Sequence, residues 1–430
     1  MASMAEICVL GLGYVGLPTA SLLATAGFQV LGVDTDANVV AALNSGHTRL
    51  QEAGLATLAA AAHHSGNLTA AKAPEASDTF IICVPTPVTP EPERRVELKM
   101  VEQAARSIVP HLRKGNLIIL ESTSPVGTTR NVVGAILNSA GFAPGKDVHL
   151  CYCPERVLPG NTVAELVNND RIIGGFTPAC AEHAREIYAR FCQGKITLSD
   201  DLTAELCKLM ENTSRDVNIA LANAFARIAE DAGVNVWEAI ELSNLHPRVK
   251  ILKPGPGVGG HCIPVDPWFL IDAYPQHAGL LRAARELNDG QAQRMLTRML
   301  GTGLLKRGDK LAILGAAYKA DIDDPRMSPA ARLADAAEAE GIRFAVHDPL
   351  VAAGKHEGVT ISNNLEEVLS GAAAAVLLTE HKFYRGLTSK EFAQHMSGKL
   401  IADTRNWLNH KTLTLAGFRI MILGDGKESP

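Results

Sequence analysis

The sequence predicts an α/β protein: two Rossmann-like doubly wound domains joined by a long central helix and a helical middle region. Three observations predict it. A short apolar run leads through a glycine turn into an apolar helical stretch near the N-terminus; an Ala-rich stretch free of Pro and Gly runs from Thr203 to about Ala232; and a second series of strands and helices starts at Arg307. The expected domains are 4–200, 201–306 and 307–430. At 430 residues with 47% hydrophobic content, the chain is too long for one ordinary core.

Glu6-Ile7-Cys8-Val9-Leu10 reads as a buried strand, followed at once by Gly11-Leu12-Gly13-Tyr14-Val15-Gly16 and the helical stretch Leu17 to Ala26. In such a unit the first glycine makes the tight turn, the second lets backbone approach a pyrophosphate, and the third lets helix and strand pack closely. The next strand, Gln29 to Val33, ends in Asp34 at the offset where a carboxylate accepts the ribose hydroxyls. Asp34 repels a 2′-phosphate, and Thr35 and Asp36 supply no cation to accept one, so the expected cofactor is NAD. Further strands are Thr79 to Val84, Leu117 to Leu120 and Val148 to Tyr152, each followed by a polar or Pro/Gly turn. In a parallel sheet their carboxyl ends share one edge, which gathers Thr86, Thr123 and Glu155 near the nicotinamide.

The long Ala-rich helix opens at Asp200 and Asp201 and closes at Gly233, and is expected to bridge two domains. Lys208 and Asn212 lie one turn apart on one of its faces. Helical segments continue through Trp237 to Asn244 and from His277 to about Leu305. Between them lies Lys253-Pro254-Gly255-Pro256-Gly257-Val258-Gly259-Gly260-His261-Cys262-Ile263-Pro264-Val265-Asp266. An isolated cysteine usually packs as a small hydrophobe. Here four glycines in six residues let main-chain N–H groups converge beside the thiol, and a carboxylate follows four residues later. That combination predicts a nucleophile at Cys262.

From Arg307 the chain starts again: strand Lys310 to Leu314, helix Ser328 to Glu340, strand Ile342 to Val346 ending in His347-Asp348, and a strand around Ala374 to Leu378. Its first turn, Gly315-Ala316-Ala317-Tyr318-Lys319, lacks the three-glycine pattern. Lys319, Arg326 and Arg405 instead place cations at strand ends, which suits a phosphate-bearing ligand.

Net charge is −5, and the basic residues form no run, which argues against nucleic acid as a partner. The eight cysteines form no CxxC pair, so neither a disulfide framework nor a metal site is expected, and Cys151-Tyr152-Cys153 reads as packing. No run approaches a membrane span, and Glu6 directly before a core strand does not fit a signal peptide, so a cytoplasmic protein is expected. Met1-Ala2-Ser3 reads as residues placed ahead of a natural start at Met4.

Five segments together resemble the UDP-glucose/GDP-mannose dehydrogenase family over nearly the whole length: Gly11 to Pro18, Val84 to Pro87, Ser122 to Thr129, Gly257 to Cys262 and Tyr318 to Arg326. The resemblance implies that NAD oxidises C6 of a nucleotide sugar from alcohol to carboxylate, a four-electron change. Cys262 would form a thiohemiacetal and then a thioester, Asp266 would orient or activate water, Glu155 with Thr123 would assist proton transfer, and Lys208 with Asn212 would stabilise the negative oxygen. It further implies cofactor contacts from Gly11, Gly13, Tyr14, Val15, Gly16, Asp34, Pro85, Thr86, Ser122, Thr123 and Arg326. Substrate contacts would come from Glu155, Arg156, Val157, Lys208, Asn212, Lys253, Gly259, Lys319 and Arg405, and from Arg248 reaching a neighbouring subunit of a homodimer or higher homo-oligomer. The 307–430 domain would bind the UDP-sugar. The segments Tyr152 to Gly160, His246 to Val249 and Val265 to Phe269 point to a UDP-N-acetylhexosamine, UDP-N-acetyl-D-mannosamine before UDP-N-acetyl-D-glucosamine. Val96-Glu97-Leu98 departs from the Pro-Asp-Leu usual there. Two further readings remain open: a two-electron hydroxy-acid dehydrogenase, which needs no thiol, and a catalytically silent nucleotide-sugar sensor, which needs neither thiol nor carboxylates.

Overall fold

The computed structural model describes residues 5–50, 52–90, 93–157 and 160–426. Met1-Ala2-Ser3, Leu158 and Pro159 lie outside the described residues. The chain forms two compact units, Met1–Glu211 with Trp268–Ala273, and Asn212–Pro267 with Tyr274–Pro430.

The first unit is built on strands β1 (Ile7–Leu10), β2 (Val30–Val33), β3 (Leu68–Ala71), β4 (Thr79–Ile82), β5 (Leu117–Leu120), β6 (His149–Tyr152), β7 (Arg171–Gly175) and β8 (Ile196–Asp200), in the order β3-β2-β1-β4-β5-β6-β7-β8. Every residue of β1, β2, β4 and β5 is buried. Alternate side chains of β1 serve opposite faces, Ile7 and Val9 entering one apolar core and Cys8 and Leu10 the other. Helices on both faces of a parallel sheet require such uninterrupted apolar strands. By the same alternation Cys151 and Cys153 pack on one face and Tyr152 on the other, so these thiols are core residues.

The sheet is not parallel throughout. β1 to β6 run in one sense, but β7 pairs antiparallel with β6 at Cys151↔Gly175, and β8 then follows β7. A parallel return needs a crossover lying over the sheet. Among its described residues the link from β6 to β7 carries one helix, the seven-residue Thr162–Asn168, and the chain turns back.

The second unit repeats the plan. Strands β9 (Lys310–Leu314), β10 (Arg343–His347), β11 (Gly354–His356), β12 (Val359–Ser362), β13 (Ala374–Leu377), β14 (Leu400–Asp403) and β15 (Arg419–Ile422) take the order β11-β12-β10-β9-β13-β14-β15. All pairs are parallel except the hairpin of β11 with β12. Without β11 the order is that of β3-β2-β1-β4-β5-β6, the arrangement that places ligands at the carboxyl edge beside the first strand.

The long helix spans Asp201–Ala232. Asp200 caps it, accepting from Thr203 N and Oγ1 at 3.0 and 2.6 Å, and Gly233 ends it in the left-handed region with φ +69°. The run from His277 to Leu305 is two helices, Gly279–Asp289 and Gln291–Gly301, because Gly290 interrupts it. Among the described residues no helix is long and apolar enough to cross a membrane. All eight cysteines are free thiols.

Candidate active site

The glycine turn after β1 is shaped by close contacts. Gly11 holds φ +91°, and a Cβ on it would lie 2.6 Å from the Cys83 carbonyl oxygen; one on Gly16 would lie 1.8 Å from the Gly11 oxygen. Gly13 differs: nothing lies within 4 Å of its Cβ position, so its backbone faces open space. The helix Gly16–Thr25, with Val15 at its N-cap, has no side-chain cap and no acidic residue in its first turn. Its N–H groups and dipole are left to serve an anion. At the end of β2 the half-exposed Asp34 accepts from Leu12 N at 3.0 Å through Oδ2 and from Asp36 N at 2.9 Å through Oδ1. Each oxygen keeps a lone pair for a ribose hydroxyl. These residues fit NAD.

The turns after β4, β5 and β6 meet at one edge. Thr86 Oγ1 donates to the Thr123 carbonyl at 2.7 Å, and Ser122 Oγ donates to the Val84 carbonyl, beside Pro85, at 2.7 Å. Glu155 accepts from Val157 N, and Lys208 Nζ lies 3.9 Å from Glu155 Oε2 with both side chains buried. The Arg156 guanidinium is turned to Glu211, with Nε 3.1 Å from Oε2, and to the Asp170 carbonyl.

Two supports of this edge escape sequence reasoning. Glu121, fully buried, accepts from Thr19 Oγ1, Cys83 Sγ and Tyr188 OH and pairs with Arg171 at 3.3 Å. Burial pushes its carboxyl up, against the pull of Arg171. Glu205 accepts from Gly127 N, Thr129 N and Thr129 Oγ1, closing the helix start beyond the Ser122 to Thr129 segment. Both contacts join residues far apart in sequence, so no local pattern announces them.

In the second unit the cysteine loop is seated at each end. Gly255 N donates to Asn223 Oδ1 at 2.8 Å, Asn223 Nδ2 to Asn288 Oδ1 at 2.9 Å, and Asn288 Nδ2 to Asp216 at 2.9 Å, where the fully buried Arg285 also binds at 2.6 Å. The one available signal is spacing: Asn212, Asp216 and Asn223 recur at helical intervals on an otherwise Ala-rich helix. At the far end Gly260, with φ +89°, donates to the Arg326 carbonyl at 3.0 Å, and a Cβ on Gly259 would strike Tyr318 Cβ at 2.6 Å. Past Cys262 the chain turns into the helix Asp266–Ala273: the Cys262 carbonyl accepts from Val265 N at 3.0 Å and Asp266 N at 2.8 Å. The buried Asp266 carboxylate accepts from Asn212 Nδ2 at 2.5 Å. Asn212 is thus engaged with Asp266, whereas Lys208, one turn earlier, is engaged with Glu155.

Arg405 lies against the loop start, since a Cβ on Gly255 would meet its Nη1 at 2.5 Å; its Nε donates to the Leu378 carbonyl at 2.9 Å. Lys319 follows the turn after β9, half-buried, and Arg326 Nε binds Asp324 at 2.9 Å. Arg248 and Lys253 are exposed.

The glycine turn and the two acceptor oxygens of Asp34 fit a dinucleotide, as in NAD-dependent dehydrogenases. Models of the UDP-glucose/GDP-mannose dehydrogenase family match the chain as an NAD binding domain over 5–192, a central domain over 202–290 and a UDP binding domain over 312–410. The chain is 46% identical to a UDP-N-acetyl-D-mannosamine dehydrogenase of Methanocaldococcus jannaschii, covering 99% of this chain and 97% of that one. It is 42% identical to an NDP-N-acetyl-D-galactosaminuronic acid dehydrogenase of Ralstonia nicotianae, covering 95% and 97%. A solved UDP-D-ManNAc dehydrogenase from Pyrococcus horikoshii superposes with a TM-score of 0.90 at 38% identity over 98% and 99%. The chain belongs to the UDP-glucose/GDP-mannose dehydrogenase family and is an NAD-dependent UDP-sugar dehydrogenase.

Proposed function

We propose that the protein oxidises C6 of UDP-N-acetyl-D-mannosamine to the carboxylate of UDP-N-acetyl-D-mannosaminuronate, for surface polysaccharide synthesis in the cytoplasm. The observation that carries the chemistry is the turn from Cys262 to Asp266, which joins a thiol to a carboxylate held by Asn212. Bound NAD would supply the hydride acceptor for each of the two oxidations, held by Gly11, Gly13, Asp34 and the N-terminus of the helix Gly16–Thr25. Glu155, with Thr123, accepts the hydroxyl proton as the alcohol becomes an aldehyde. The Cys262 thiolate then adds to the aldehyde carbon, and Lys208 and Asn212 favour the negative oxygen of the thiohemiacetal. Loss of the second hydride leaves a thioester. Water oriented by Asp266 adds to its carbonyl and expels the thiolate, so the carboxylate leaves and Cys262 is restored. Lys319 and Arg405 bind the UDP phosphates, and Arg326 would contact NAD.

The division into a cofactor domain (4–200), a central region (201–306) and a UDP-sugar domain (307–430) belongs to this reading. So does a homodimer, supported by Met210, Leu221 and Ile228, which the long helix exposes. The N-acetylmannosamine assignment is supported by the archaeal relatives and by Val265, an apolar residue where enzymes acting on UDP-glucose carry Lys. The Ralstonia relative supports a second reading, an N-acetylgalactosamine-type sugar. The test is NADH formation from a panel of the three UDP-N-acetylhexosamine epimers and UDP-glucose, with wild type and Cys262→Ser. Two NADH per sugar, a preference in kcat/KM for the manno epimer and no acid from the serine variant are expected. A gluco or galacto preference overturns the substrate, and near-normal acid formation by Cys262→Ser overturns the covalent route.

A further inference from the structure

His381 lies in the turn after β13, fully buried, and touches three separate loops at the carboxyl edge of the second sheet. Its Nδ1 faces the Asp321 backbone N–H at 2.9 Å. A ring nitrogen opposite an N–H donor must be the acceptor, which leaves the proton on Nε2, and Nε2 donates to Asp348 Oδ2 at 3.1 Å. Asp348 in turn accepts from Ala316 N and Ala317 N at 2.8 and 2.9 Å, fixing the turn that leads to Lys319. The His381 carbonyl accepts from Trp407 Nε1 at 3.1 Å, reaching the loop that carries Arg405.

The Asp321 contact is the most demanding of these. Asp321 sits at φ +59°, in the left-handed region that few non-glycine residues apart from Asn and Asp enter. Its anchors include the N–H bond to His381 and its own carboxylate, which accepts from Lys382 N at 3.0 Å and pairs with Lys382 Nζ at 3.2 Å. Asp321 is two residues from Lys319, so the backbone held at 321 belongs to the same turn that carries that cation.

We propose that His381 is a positioning residue for the UDP phosphates, acting through the Asp321 N–H to hold Lys319 and through Trp407 to hold Arg405. This deepens the proposed function and rests on its assignment of Lys319 and Arg405 to the phosphates. Two substitutions of like polarity separate the role from general packing. In His381→Asn the side-chain oxygen reaches the Nδ1 position and still accepts from Asp321. In His381→Gln the amide reaches the Nε2 position, keeps a donor for Asp348 and leaves Asp321 N–H without an acceptor. Calorimetric titration of the full-length protein with UDP, and separately with NAD, is the measurement. The expected result is at least a tenfold loss of UDP affinity for the glutamine variant and less than threefold for the asparagine variant, with NAD affinity and kcat near wild type in both. Equal UDP affinity in the two variants, or a parallel loss of NAD affinity, overturns the proposal. If His381→Gln does not fold, Trp407→Phe removes the donor to the His381 carbonyl and tests the other link: a several-fold UDP loss is expected, and none overturns it. Lys319→Ala and Arg405→Ala serve as reference. Unchanged UDP affinity in both overturns the phosphate assignment itself, whereas a loss there without one in His381→Gln overturns only the positioning role.

Discussion

Replacing Asn223 with Ala tests whether the cysteine loop depends on its buried anchor. Asn223 is fully buried and serves two partners at once, accepting from Gly255 N at 2.8 Å and donating to Asn288 Oδ1 at 2.9 Å. The substitution leaves a buried N–H without an acceptor, at about 1–3 kcal/mol, and removes the donor from the buried Asn288 Oδ1. Together the expected loss is on the order of 2–4 kcal/mol, a large share of the ~5–15 kcal/mol that holds a typical protein folded. At about 2–4 °C per kcal/mol for a unit of this size, calorimetry should show the melting transition falling by roughly 4–16 °C. Gly255 starts the loop that ends at Cys262, so kcat should fall at least tenfold while KM for NAD holds. A variant with unchanged melting temperature would refute the hydrogen-bond accounting. A destabilised variant with normal kcat would show that the loop keeps its geometry without the anchor.

Lys208→Ala should lower kcat far more than it raises KM, because a cation directed at a developing oxyanion acts in the transition state; a change in KM alone would reassign it to substrate binding. Asp34→Ala should weaken NAD and narrow the gap to NADP, measured as the ratio of kcat/KM for the two cofactors, and an unchanged ratio would refute the ribose assignment. Burial holds the His347 imidazole down at about 4, against the pull of Asp348, so the folded state resists a proton that the unfolded chain takes up near 6.5. Stability from this group is therefore complete above pH 6.5 and is lost as pH falls towards 4, by on the order of 3 kcal/mol. The melting-temperature advantage of wild type over His347→Phe should shrink across that window, and an advantage that grows on acidification would refute the sign.

What could be read from the sequence was whatever local rules write. The β1 strand, its glycine turn and Asp34 follow one another within thirty residues, and each element's hydrophobic period fixes its type. The same holds for the long helix, which has no breaker between Asp200 and Gly233, and for the glycine loop at Cys262. The reversal at β7 was not legible, because strand direction depends on how a connection crosses the sheet and not on the strand's composition. β14 and β15 are four-residue runs, LIAD and RIMI, that gain meaning only beside β13. The buried partners Glu121 with Arg171 and Asp216 with Arg285 join positions 50 and 69 residues apart, and no periodicity links them. Lys208 and Asn212 share one helix face by spacing, but their side chains part, one to Glu155 and the other to Asp266, which spacing alone does not specify.

Asp34 and Asp348 occupy equivalent stations of one wiring plan, each closing the turn after the first strand of its sheet. Asp348 is saturated: Ala316 N, Ala317 N, Leu350 N, Val351 N and His381 Nε2 all point at it. Burial pushes its carboxyl up, but the His381 contact and the backbone donors outweigh that and hold it at about 2. Among the described residues, Asp34 accepts from Leu12 N and Asp36 N alone and stands half in solvent. One turn is therefore closed by the protein's own donors, whereas the other keeps acceptor positions open at the carboxyl edge of its sheet, which is what a bound ribose would need.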